Sequence, residues 1–258
     1  MENKKIYHIL SLSGGKDSTA LAFFMRENMP EIFEKLELVF CDTEHEIPET
    51  YDYLNKIEIF LDKKITVIKP QKSFDHLYSI LKILPSVNRR WCTPLLKTNV
   101  FKSYIKSKAE NIALINLYIG IRADEAFRLD SAKQNQTQNI IEKHPFVEFG
   151  IIKKDVENIL YESGINYPEY YKWRKRSGCY FCFYQSPKDW LNLYKHHPDL
   201  YKKAMEYEFK TGDDLKKSRF GWNTKYSLKE IIENKALIEN SKTQKSNKQY
   251  TKNLIELI

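Results

Sequence analysis

Hydrophobic and polar positions along the 258-residue chain change their period several times, and each change predicts an element. Lys5–Leu12 is a short β-prone run and Thr19–Met25 an apolar helix, with Ser13-Gly14-Gly15-Lys16-Asp17-Ser18 between them. Lys35–Cys41 reads as a second strand. Thr50–Leu61 carries Tyr53, Leu54, Ile57 and Leu61 at spacings of three or four, which predicts a helix. Lys64–Lys69 gives a third strand, Ser73–Leu84 a helix stopped by Pro85, and Arg89–Lys97 opens a further helix running to about Lys108. Ile112–Ile121 is almost continuously apolar, as in a strand buried on both faces. Ser131–Ile141 is polar and rich in Gln and Asn, predicting a loop, and Phe146–Ile152 is again β-prone. Asp155–Ser163 predicts a helix closed by Gly164. Pro187–Tyr207 reads as one or two helices, with Pro198 as a restart. Beyond Lys210 the pattern weakens, and Asn240–Lys252 is a polar, cationic surface segment.

Strands alternating with helices predict an α/β, doubly wound parallel sheet with right-handed crossovers. The expected organisation is an α/β domain over residues 1–165 and a helical C-terminal extension over 166–258 packed on it. Ligands of such sheets gather at the carboxyl ends of the strands. Ser13–Ser18 and Asp42–Glu46 both fall there. Strand, glycine turn and helix is a geometry in which backbone N–H groups converge on an anion. Gly14 and Gly15 would let phosphate oxygens approach, Ser13 and Ser18 add hydroxyls, Lys16 adds charge, and Asp17 would orient Mg²⁺ or water. The stretch is neither a Walker A loop nor a G-x-G-x-x-G dinucleotide turn.

With 42% hydrophobic residues the chain can bury a real core. No apolar run approaches bilayer length and the N-terminus lacks a secretory pattern, so the expectation is a soluble, cytoplasmic protein with no membrane partner. The formal charge of +8 (42 Lys and Arg against 34 Asp and Glu) favours polyanionic partners, although a solvated lysine-rich surface gives the same balance. The aromatic and cationic run Tyr167–Arg176 also favours nucleic acid.

Four cysteines, Cys41, Cys92, Cys179 and Cys182, in a cytosolic chain point to metal binding or catalysis rather than disulfides. Cys179 and Cys182 form a Cys-x-x-Cys step that can chelate one ion or cluster, with Cys92 as the third ligand. Arg89, Arg90, Arg174, Lys175 and Arg176 would lower the thiol pKa values. Three thiols without a clear fourth suit a [4Fe–4S] cluster with one open iron. A zinc site with an extra ligand and a Cys179–Cys182 redox disulfide are the alternatives. Cys41 reads as a small residue buried at a strand end. Arg122 and Arg128 also fit surface ion pairs at helical spacing, Asp42 also fits a helix N-cap, and His196 and His197 read as surface residues.

The Ser13–Ser18 string resembles the pyrophosphatase loop (PP-loop) of ATP-cleaving enzymes that adenylate or thiolate their substrates. Three further motifs follow it in order: Cys41-Asp42-Thr43 with Glu46–Thr50; Gly120-Ile121-Arg122 with Glu125 and Arg128; and Cys92 with Gly178, Cys179 and Cys182. Together, from Lys5 to Tyr207, they resemble the phosphoadenosine phosphosulfate (PAPS) reductase family of PP-loop proteins. The resemblance implies a Rossmann-like (HUP, adenine nucleotide alpha hydrolase-like) sheet that binds ATP or an adenylyl nucleotide with Mg²⁺. Ser13, Gly14, Gly15, Lys16, Asp17 and Ser18 would hold the phosphates, with Lys16, Asp17, Arg122 and Glu125 catalytic. Asp42 would lie near the nucleotide, Arg122 and Arg128 would bind phosphate, sulfate or a polyanion, and Glu125 would orient Arg122 or serve the metal. Glu44 stands where the family commonly has the glycine of an Asp-Thr-Gly motif.

Similarity to the cluster-bearing sulfurtransferases of the group, which act in DNA phosphorothioation and tRNA thiolation, further implies adenylation of a nucleic-acid substrate. Sulfur would come from a donor such as a cysteine desulfurase, and the cluster on Cys92, Cys179 and Cys182 would hold it. The thioredoxin-dependent reductases carry a catalytic cysteine in a Glu-Cys-Gly-Leu-His tail, and no cysteine follows Cys182 here. Two other readings remain at this point: a sulfonucleotide reductase-like enzyme without ATP cleavage, and a non-catalytic nucleic-acid-binding module with a zinc knuckle.

Overall fold

The computed structural model describes residues 6–109, 114–129, 139–176, 178–210, 221–223 and 225–241. Five strands form its sheet: β1 (Ile6–Leu12), β2 (Leu36–Cys41), β3 (Ile65–Ile68), β4 (Leu114–Tyr118) and β5 (Ile140–Lys143). Their order is β3-β2-β1-β4-β5 and every pairing is parallel. The strand order reverses beside β1, so the carboxyl ends of β1 and β4 flank a crevice, as a doubly wound sheet requires. Ile9 and Leu10 on β1 and Leu38 and Val39 on β2 are wholly buried, which accounts for runs without polar alternation.

Helices cover both faces. On one, α1 (Lys16–Asn28), α2 (Pro30–Glu34), α3 (Pro48–Leu61) and α7 (Lys153–Glu162) pack around Leu21, Phe23, Ile57, Phe146 and Leu160. On the other, α5 (Asn99–Ala109) lays Ile105 against Ile9, Val39, Ile115 and Leu117. A separate aromatic core forms around Phe74 of α4 (Phe74–Leu81), Phe181 and Trp222, joined by Trp190 of α8 (Pro187–His196) and Tyr201 of α9 (Pro198–Lys210). Ile47, Leu84 and Leu96 enter the same core, so it draws on residues from both sides of position 166. No helix among the described residues is long and apolar enough to cross a membrane.

Several expectations shift. Phe146–Ile152 is not a strand: Pro145 starts the short helix α6 (Pro145–Glu148), and the turn at Gly150 leads into α7. Phe146 is buried from that helix, so its apolar character reflects a core position and not a sheet. Ile140 and Ile141 are not loop but open β5 on the sheet edge, while residues 130–138 lie outside the described set. Helix α4 ends at Leu81, where Lys82 turns left-handed. The helix opened near Arg89 begins with one wide π turn, Pro94–Thr98, before α5. Past Lys210 there are two helices the pattern hid, α10 (Leu228–Glu233) and α11 (Lys235–Asn240). Each has only six residues and one or two buried side chains, too few for a period to register. Most of Asn240–Lys252, from residue 242 on, lies outside the described residues.

Candidate functional site

The turn after β1 is closed by its own side chains. Ser18 Oγ accepts the Ser13 N–H at 3.0 Å and lies 2.9 Å from Ser13 Oγ, and Thr19 Oγ1 donates to the Gly15 carbonyl at 2.8 Å. Gly15 is the extended N-cap of α1 and supplies no side-chain acceptor, so the first N–H groups of a 13-residue helix lack a side-chain cap from that residue. Gly14 sits at φ +68, and a β-carbon there would press on Thr50 Cγ2 at 3.1 Å. Tyr170 donates its hydroxyl to the Gly14 carbonyl at 2.9 Å, tying the loop to the C-terminal region.

The third motif meets this turn directly. A β-carbon on Gly120, just past β4, would lie 3.0 Å from the backbone carbonyl of Asp17; only glycine lets the two segments approach so closely. Arg122, almost fully buried, spends its guanidinium on three carboxylates: Asp17 at 2.7 Å, Asp124 at 2.9 Å and Glu125 at 2.9 Å. Glu125 also holds Arg128 at 3.0 Å. Arg122 therefore reaches the Ser13–Ser18 turn through Asp17, and both the helical-spacing ion pairs and a link between motifs are realised at once.

The second motif follows β2. Asp42 is buried and accepts from the Glu44 N–H at 2.7 Å and from Tyr51 Oη at 2.8 Å. It is not the N-cap of α3, a place taken by Ile47. Glu44 stands at φ +61, which explains why a glycine suits this position. Its carboxylate, drawn below its ordinary pKa by its bond to Lys69 at 2.7 Å, helps hold the turn.

The thiols gather beside that turn. Glu46 and Cys179 form an isolated antiparallel bridge, and the Tyr180 N–H donates to the His45 carbonyl at 2.9 Å. Thr43 Oγ1 lies 3.3 Å from Cys179 Sγ and donates to Glu46 Oε1 at 2.8 Å. Lys97, on the π turn, stands 3.7 Å from the same Glu46 oxygen. It feels Cys179, Glu46, Cys182 and Cys41 together, so its amino group is held protonated. Cys182 lies close enough to bear on the charge of both Cys92 and Cys179. Cys41 donates its S–H to the Leu96 carbonyl of the π turn at 3.2 Å and is half-buried.

The cationic surroundings do not lower the thiol pKa values. Burial outweighs them, pushing Cys179 up to about 12 against the pull of Lys97, and raising Cys92 despite Arg90. Arg174 is buried and donates to the Gly178 and Cys179 carbonyls at 3.5 and 3.2 Å, so it shapes the cysteine turn. All four cysteines are free thiols. Among the described residues no three His, Cys, Asp or Glu side chains close on one point at metal-binding distance. The donors nevertheless suit a thiolate-held metal in kind. Three thiols sit on two adjoining segments, and the neighbouring Glu46 Oε2 is buried without a hydrogen-bond partner.

A cavity of about 350 Å³ opens beside the turn after β1, without Cys92, Cys179 or Cys182 in its lining. Ser13, Asp17 and Ser18 line it on one side and Cys41 and Lys97 on another, with Phe40, Phe101, Ile105, Leu117 and Ile119 as apolar walls. Its size and mixed lining are those of a small-molecule site.

Two functional features escaped sequence reasoning. Lys97 was counted only as part of a helix, although its place five residues after Cys92 was a usable signal. His197 is not simply a surface residue: it is half-buried, 2.9 Å from Glu49, and packs with Trp173, on which His196 stacks. The run Tyr167–Arg176 is only partly outward, because Tyr170 and Arg174 turn inward at a spacing of four.

The chain is 26% identical over 245 residues to an uncharacterised protein of Methanocaldococcus jannaschii, covering 91% of this chain and 57% of that one. A second protein of the same organism is 23% identical over 209 residues, covering 76% and 40%. The chain thus spans about half the length of these curated relatives. Its structure is similar to the PAPS reductase of Candida auris in a phosphate complex, with TM-score 0.50, 19% identity, and 68% of this chain and 81% of that one covered. The U34-tRNA thiolase NcsA of Methanococcus maripaludis with its [4Fe–4S] cluster gives TM-score 0.48 at 15% identity, covering 94% and 75%. The phosphoadenosine phosphosulfate reductase domain model matches residues 7–185, and the chain belongs to that family.

Proposed function

We propose that this protein binds ATP at the Ser13–Ser18 loop and adenylates a nucleic-acid substrate so that sulfur can replace an oxygen. The observation that carries this reading is the cavity. Ser13, Asp17, Ser18, Cys41 and Lys97 line one space of about 350 Å³. Cys92, Cys179 and Cys182 lie outside that lining, and Lys97 links it to them through Glu46, whose Oε1 is 3.7 Å from Lys97 and 3.6 Å from Cys179 Sγ, so a substrate activated there would lie next to the thiols. In this reading the loop N–H groups, Ser13, Ser18 and Lys16 hold the phosphates. Asp17, fixed by Arg122, orients Mg²⁺, Glu125 orients Arg122, and Arg128 presents a second cation. Asp42 holds the Glu44 turn beside the nucleotide.

Cys92, Cys179 and Cys182 would hold an iron–sulfur cluster, whose chemistry when bound is to carry sulfur on an open iron. Zinc on the same thiols is the alternative occupant. The protein's own contribution is to hold Cys179 against Thr43 and Glu46 and to keep a protonated lysine beside it. ATP-dependent pyrophosphate release tests the nucleotide half. It should be abolished in Lys16→Ala and Asp17→Ala, and release at the wild-type rate in either variant would remove the adenylation step.

A further inference from the structure

Outside the cavity, a pair of arginines gathers on one aromatic ring next to the cysteines. The Arg90 guanidinium lies 5.3 Å from the centroid of Tyr184, and the Arg176 guanidinium 4.9 Å from it. The three residues are tied to the thiol segments by sequence: Arg90 is two before Cys92, Arg176 three before Cys179, and Tyr184 two after Cys182. Arg26, Arg122 and Arg128 each hold a carboxylate, whereas no carboxylate pairs with Arg90 or Arg176 among the described residues. Arg90 Nε and Nη1 are, moreover, buried without a hydrogen-bond partner there. Two guanidinium nitrogens without water or an acceptor are an unfavourable arrangement unless a ligand, met by the rest of the group at the surface, draws the side chain to it.

The chemistry of that ligand follows from the donors. Arginine offers a planar fork that fits two oxygens of a phosphate, and stacking on an aromatic ring leaves its in-plane N–H groups available. Phe183, 4.4 Å from Tyr184 between ring centroids, adds a second aromatic face beside the arginines, on which a base can stack. We propose that Arg90, Arg176 and Tyr184 form a subsite for a phosphodiester of a single-stranded nucleic acid. It would seat the substrate strand next to Cys92 and Cys182. This rests on the nucleic-acid reading above and specifies how the strand is held.

The test is fluorescence anisotropy with a labelled single-stranded 20-nucleotide probe, titrated across salt concentrations, with pyrophosphate release measured on the same preparations. Arg90→Gln with Arg176→Gln should weaken the probe roughly tenfold and lower the slope of log affinity against log salt by about 1.4, the value for two phosphate contacts. Lys153→Gln with Lys154→Gln removes the same charge from exposed positions and should leave binding within about twofold. An equal loss in both variants, or no loss in the arginine variant, overturns the subsite. So does weakened binding of adenosine 3′,5′-bisphosphate with unchanged probe binding, which would assign the arginines to a free nucleotide. Should Arg90→Gln fail to fold, Arg90→Lys with Arg176→Gln serves, since lysine keeps the charge and loses the fork. Arginine-dependent probe binding in a protein that releases no pyrophosphate leaves the subsite standing and removes adenylation; the reverse pattern removes the subsite alone.

Discussion

Replacing Arg122 by methionine tests whether the third motif holds the phosphate loop together. The guanidinium is 8% exposed and is shared by Asp17, Asp124 and Glu125 at 2.7–2.9 Å. Methionine keeps much of the volume and removes the charge, leaving three carboxylates facing one another. Deleting one partner of a fully buried pair costs about 3–5 kcal/mol. Here the three acidic side chains are 30–41% exposed, so water screens what remains and about 2 kcal/mol is expected. For a domain of this size that is a fall in Tm of about 4–8 °C. Arg128→Met is the control: Arg128 is more open and, among the described residues, pairs with Glu125 alone, so its loss should cost less than about 1 kcal/mol. Urea unfolding of both variants gives the comparison. Equal losses, or a loss under about 0.5 kcal/mol for Arg122→Met, would refute the view that this arginine locks Asp17 in place.

Two other substitutions probe backbone geometry. Gly120→Ala drives a β-carbon onto the Asp17 carbonyl. If about 1.4 kcal/mol of that overpacking appears as displacement of the loop, ATP binding weakens tenfold by calorimetry, and unchanged affinity would mean the approach is not constrained. Glu44→Gly and Glu44→Ala both lose the Lys69 ion pair, so their difference isolates the left-handed backbone at φ +61. The glycine variant should be more stable than the alanine variant by about 1 kcal/mol in thermal unfolding, and the opposite order would contradict the assignment.

The sheet was legible in the sequence because β1, β2 and β4 are buried runs bounded by glycine or acidic turns, a pattern with few competing meanings. The turn between β1 and α1 was legible because its geometry is local, as Ser18 closing on Ser13 shows. What failed was tertiary in origin. Phe146 is apolar because it fills the core under α6, and no short window separates that from a strand. Tyr170 and Arg174 looked like nucleic-acid contacts by residue type, yet one binds the Gly14 carbonyl and the other the cysteine turn. Thiol acidity was misjudged for the same reason: nearby arginines are visible in a sequence, and burial of the sulfur is not. Lys97 reaches Glu46 and Cys179 only because the π turn and the Glu46–Cys179 bridge meet in space.

In the proposed function Cys92, Cys179 and Cys182 serve one sulfur-handling centre beside the cavity at the Ser13–Ser18 turn. Iron and acid-labile sulfide in protein purified without oxygen, for wild type and Cys92→Ala, test it most directly. About four iron and four sulfide per chain are expected in the wild type, lost in the variant while pyrophosphate release persists. Zinc, no metal, or iron content unaffected by Cys92→Ala would contradict it.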